Sequence, residues 1–171
     1  MSTTLDQIAV PLFSQTLAAQ AAEIDIAIDH CTENNVDSAP ILESRLAPDM
    51  FTYTQQIQRA TFHACQAMAK MADIDVPEFA DDETSFEDLK ALVKTARDFV
   101  RGVDVSRLAG REEAAIQVQT RVALLEFTCR DFLLHFAIPQ VLFHSTTAHG
   151  LLRSAGIDVG KRHFLGSADD R

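Results

Sequence analysis

Apolar side chains return at steps of three and four along most of this chain, and that spacing constrains its fold more than any other feature. Residues three or four apart share one face of an α-helix, so a sustained stripe of them must pack against a neighbour. From about Val10 to about Cys31 the stripe is Phe13, Leu17, Ala21, Ile24, Ile28 and Cys31, with Pro11 placed in the first turn. A second helix is predicted from about Phe51 to Ala72, striped by Tyr53, Ile57, Ala60, Ala64, Met68 and Met71. A third opens at Thr84-Ser85, where Thr84 and Glu87 have capping-box spacing, and Gly102 stands where a C-terminal cap belongs. Its stripe is Phe86, Leu89, Val93, Ala96 and Val100.

The segment from Ala115 to Phe127 reads differently. It is rich in β-branched residues and partly alternates, which predicts a small β-hairpin. Thr128 and Asp131 then open a last long helix that runs to Ser154-Ala155-Gly156. Its first half, Phe132 to Phe143, is apolar on nearly every side and is expected to be covered all round, with a kink at Pro139. A short helical turn is expected within Ser38 to Arg45, and Asp73 to Glu83 reads as an acidic linker. Together these patterns predict a single all-α domain, a four-helix bundle with a small hairpin before the last helix.

The chain has 171 residues, of which 47% are apolar, enough for one full core. Twenty-five acidic residues against 15 basic ones give a net charge of −10. That balance argues against nucleic acid and against an anionic membrane surface, with Gly160-Lys161-Arg162-His163 the one basic segment. The three cysteines, Cys31, Cys65 and Cys129, form no CxxC pair, which fits a reducing compartment. No basic, apolar leader opens the chain, and the longest apolar run is too short to span a bilayer. A cytoplasmic protein is the expectation.

Candidate chemistry centres on histidine. His135, His144 and His149 share the last helix, but none stands three or four residues from another, so no two can grip one metal ion from that helix alone. A metal site would need His144 with a partner from elsewhere, and His63 on the second helix is the best one. Hydrogen-bonded core or surface histidines are the simpler reading. Tyr53 and His135 could alternatively line a pocket for an organic ligand inside the bundle, His135 lying in the stretch expected to be most buried. No nucleophile elbow and no phosphate-binding glycine loop is present. The acidic pairs Asp81-Asp82 and Glu112-Glu113 read as solvated charge.

Several segments carry a further resemblance. They are Leu133-Leu134-His135-Phe136-Ala137-Ile138-Pro139, Phe143-His144-Ser145-Thr146-Thr147-Ala148 and Gly160-Lys161-Arg162-His163-Phe164-Leu165-Gly166. With Arg45-Leu46-Ala47-Pro48-Asp49-Met50-Phe51, Val76-Pro77-Glu78-Phe79 and Glu83-Thr84-Ser85-Phe86, they resemble the DinB/YfiT-like superfamily, in its branch described as a domain of unknown function (DUF1993). The resemblance implies a DinB-like up-down four-helix bundle, commonly a homodimer. Members of the wider superfamily often hold a metal on three histidines, one from the second helix and an HxxxH pair from the last. In this chain the later histidine of that pair matches His144, the earlier falls on Gln140, and His63 loosely matches the second-helix ligand. Two functions therefore stay open. One is a non-catalytic or small-ligand-binding dimer with a degenerate metal site and a candidate pocket at Tyr53, His135 and Gln140. The other is a metal-dependent thiol transferase or hydrolase using Zn²⁺ or Ni²⁺ on His63 and His144.

Overall fold

The computed structural model describes residues 3–167. Four long helical rods form the body: α1 (Leu5–Asn34), α3 (Tyr53–Ala72), α4 (Phe86–Gly102) and a last rod made of α5 (Cys129–Phe132), a π-helical turn and α6 (Ile138–Ser154). Two short helices, α2 (Ala39–Leu42) and α7 (Lys161–Leu165), and a 3-10 turn at Val105–Leu108 accompany them. α1 lies along α4, α4 also meets α3, α3 lies along α6, and α6 returns to α1. Phe13, Leu17 and Ile24 from α1, Ile57, Met68 and Met71 from α3, Leu89 and Val93 from α4, and Leu133 and Leu151 from the last rod fill the centre.

The stripes of the second and third long helices are buried residue for residue as their spacing predicts. Helix ends follow local chemistry. Thr52 caps α3, accepting from the Gln55 amide while the Gln55 side chain accepts from the Thr52 amide. α4 uses Ser85 and Asp88 for the same exchange, one residue later than the Thr84 and Glu87 of the sequence reading. Gly102 is the last residue of α4, and the extended Val103 follows it, so no left-handed glycine cap forms there. α1 begins at Leu5, well before Val10. Pro11 therefore sits inside the helix, where the length of the rod and its packing on α4 outweigh one lost hydrogen bond.

The hairpin is present: β1 (Ala115–Gln119) pairs antiparallel with β2 (Leu124–Thr128), Ile116 opposite Phe127 and Val118 opposite Leu125. Ile116 and Val118 face the core. Thr128 then caps the last rod by accepting from the Asp131 amide.

Two expectations for that rod need correction. The disturbance at Pro139 takes the form of a π turn, Leu133–Ala137, which leaves the proline in the first turn of α6 where its missing N–H is tolerated. The rod is also not covered all round. Leu134 is 41% exposed, Leu142 37% and Phe143 56%, and the His135 side chain is 72% exposed. The hairpin, α3 and α1 cover one side only. No helix among the described residues is long and apolar enough to cross a membrane.

Candidate functional site

α3 and α6 pack along their length, and their contact brings together two histidines from distant parts of the sequence. The rings of His63 and His144 stack nearly parallel, 7° apart in plane, with centroids separated by 5.6 Å. Aromatic rings surround them. Phe51 and Phe143 lie against His144 at 6.1 and 5.3 Å, and Phe62 and Phe136 lie against His63 at 5.4 and 6.3 Å. Phe136 belongs to a ring cluster with Phe127 and Phe132, so the hairpin and the π turn together set the wall behind His63.

Hydrogen bonds fix the protonation of His144. The Gln56 side-chain amide donates through Nε2 to the Phe51 carbonyl, which leaves Oε1 facing His144 Nδ1 at 2.7 Å. Oε1 can only accept, so Nδ1 carries the proton and Nε2 keeps its lone pair. Burial, followed by the positive charge of Arg59, holds His144 down at about 4. His63 is also held at about 4, by burial first and then by His144, with Arg59 contributing and a hydrogen bond to Gln66 opposing. Both imidazoles are therefore neutral at pH 7. Nδ1 of His63 is buried and has no hydrogen-bond partner among the described residues.

This donor set does not fit a resident divalent ion of the three-histidine kind. The two ring planes lie nearly parallel, 7° apart, and Nδ1 of His144 is already engaged by Gln56. Gln140, where a third ligand would be needed, is half-buried one turn before His144 and supplies only a neutral amide. Arg59 adds positive charge beside the pair. Among the described residues no three His, Cys, Asp or Glu side chains are gathered for a metal.

The pocket expected at Tyr53, His135 and Gln140 is not assembled as one site. Tyr53 is fully buried against Phe86, edge to face at 5.7 Å. His135 points outward from the π turn beside Asp131, because the face of the rod that carries it is the uncovered one. The polar partner that a buried His135 would require is accordingly unnecessary.

Residues that the sequence reading passed over complete the neighbourhood. Arg59, one turn before His63 on α3, stacks its guanidinium over Phe62 at 5.3 Å and forms an ion pair with Asp81. Asp81 had read as mere solvated charge. A second polar pair lies where α1, α6 and α7 meet: Glu23, 4% exposed, contacts His149 Nδ1 at 2.6 Å, and His149 rests edge-on against Phe164 of α7. Close by, Gln20 donates to Ser145 within the core. An i, i+4 motif search cannot find such pairs: Arg59 and Asp81 stand 22 residues apart, and the other two pairs join helices more than a hundred residues apart.

The DUF1993 family model, a domain of unknown function, matches residues 5–165, which is nearly the whole chain. A crystal structure of a DinB family member protein from Shewanella denitrificans is similar to this fold with a TM-score of 0.85. It shares 31% sequence identity, and the match covers 95% of this chain and 92% of that one. No curated protein matches the chain. Taken with the bundle, its hairpin and the paired histidines of α3 and α6, these matches place the chain in the DUF1993 family of DinB-like proteins.

Proposed function

We propose that this protein is a non-catalytic, small-ligand-binding bundle, working as a homodimer, in which the superfamily's metal site has degenerated into a neutral imidazole pair. The observation that carries this reading is the buried, unpartnered Nδ1 of His63 beside a second neutral ring. A buried polar atom without a partner is costly, and a ligand or water that bonds to it recovers that cost. With Nε2 of His144 left as an acceptor, the pair offers hydrogen-bonding nitrogens framed by phenylalanine rings, the usual make-up of a small-molecule site. The three cysteines, all free, suit a reducing compartment such as the cytoplasm.

The competing function is a metal-dependent thiol transferase or hydrolase with Zn²⁺ or Ni²⁺ on His63 and His144. Elemental analysis separates the two. Protein purified without chelators is expected to hold far less than one equivalent of Zn, Ni, Mn or Fe, and added Zn²⁺ or Ni²⁺ is expected to leave its Tm unchanged. One equivalent of metal per chain, lost in the folded variant His144→Ala, would overturn the proposal and restore the enzymatic reading.

A further inference from the structure

Beside the imidazole pair the loop after α3 forms a cleft of about 400 Å³. Val76, Pro77 and Phe79 from the loop and Phe62 from α3 give it apolar walls, and Arg59 is its one cationic lining residue. The cleft and the imidazoles share structure, since Phe62 touches both and the charge of Arg59 reaches both rings. Arg59 lies over Phe62, with its guanidinium carbon 5.3 Å from the ring centroid, and its side chain remains 27% exposed. Its present partner is the carboxylate of Asp81, a residue in the left-handed region at φ 54° with a side chain 39% exposed. Glu78 also lines the cleft, on an exposed position where water screens its charge.

We propose that this cleft binds a small organic acid with an aromatic or apolar body, and that its carboxylate takes the place of Asp81 on Arg59. A guanidinium is suited to a planar carboxylate, which it can engage through two parallel N–H donors. Asp81 then acts as a built-in stand-in for the ligand. The exchange releases the Asp81 carboxylate to water, where its side chain is already 39% exposed and its charge is screened. The apolar body of the ligand lies on Phe62 and Phe79. This inference rests on the ligand-binding reading above and adds the chemical class of the ligand.

Benzoate, benzyl alcohol and benzamidine share one ring and differ in charge, so they serve as probes for the intact protein by NMR titration or calorimetry. Benzoate is expected to bind saturably with Kd in the millimolar range, and Asp81→Asn is expected to tighten it roughly fivefold by removing the competitor. Arg59→Gln is expected to abolish the preference for benzoate over benzyl alcohol, and Arg59→Lys to weaken it while keeping the charge. Circular dichroism confirms that each variant is folded. Benzyl alcohol binding as well as benzoate would overturn the acid assignment and leave the ligand-binding reading standing. Benzamidine binding best, or no binding of benzoate by folded Asp81→Asn, would also overturn it. Failure of all three probes together with one metal equivalent per chain would remove both proposals.

Discussion

His63 and His144 bring a pH dependence that follows from where they sit. Each is held near 4 in the folded chain, whereas an exposed histidine titrates near 6.5. Below 6.5 the unfolded chain takes up protons that the folded chain refuses, so acid favours unfolding. The stability is fully present above about pH 6.5 and is lost progressively as pH falls toward 4. At about 1.4 kcal/mol per pH unit, one imidazole accounts for about 3 kcal/mol across that window. Urea denaturation at stepped pH is expected to show this slope, and His144→Gln to reduce it while the His63 contribution remains. A stability that does not change between pH 6.5 and 4 would contradict the burial assigned to the pair. The two histidines were legible in the sequence as the best available partners, because helix spacing alone excluded pairs within the last helix. Arg59 was not, since one arginine on an amphipathic helix looks like any other until the loop carrying Asp81 folds over it. Gln56 was invisible for a similar reason: its role depends on the Phe51 carbonyl and on a ring 88 residues away.

At the scale of elements, α1, α6 and α7 are joined by the Glu23–His149 pair. Burial raises the pKa of the Glu23 carboxyl, and the hydrogen bond and charge of His149 pull it back. Removing the imidazole leaves a buried acid alone, so His149→Ala is expected to cost about 3 kcal/mol. Glu23→Met with His149→Leu removes both polar groups and is expected to cost less than the two single changes summed, by at least about 1 kcal/mol. A denaturation cycle on the four proteins measures that coupling, and strict additivity would show that the contact contributes nothing. Because His149 also supports Phe164, hydrogen exchange in residues 161–165 should quicken in His149→Ala. The elements themselves were readable from period, as the buried stripe from Tyr53 to Met71 shows. Their ends were less so. α1 swallows Pro11 because packing along thirty residues outweighs one lost hydrogen bond, and α4 chooses Ser85 over the adjacent Thr84 as its cap. Period also failed on the last rod, where apolar residues on every side were read as burial on every side. Phe132 to Phe143 shows that an apolar residue can mark a face left for another molecule.

At the scale of the whole molecule, that uncovered face is the strongest argument for a second copy. Phe51 and Phe143, 46% and 56% exposed, flank the same His144 ring, and Leu142 and Leu134 are exposed on the same rod. A monomer in water rarely exposes a large contiguous apolar patch, and a two-fold dimer would bury the same patch twice. The net charge of −10 opposes that association, since each copy brings the same excess of acid. Apolar attraction and charge repulsion respond oppositely to salt. Salt screens the repulsion within about 10 Å at 0.1 M and leaves the apolar contact intact. Dimerisation driven by the α6 face should therefore tighten as NaCl is raised, whereas an interface held by ion pairs would loosen. Light scattering coupled to size exclusion is expected to give twice the chain mass, with the dissociation constant falling as salt rises. Phe143→Glu places a charge at the centre of the patch and should give a monomer with an unchanged circular dichroism spectrum, because Phe143 is not part of the core. If the wild type is monomeric at every concentration, or if Phe143→Glu leaves the dimer intact, this face is not the interface, and the open side of the rod must serve another partner.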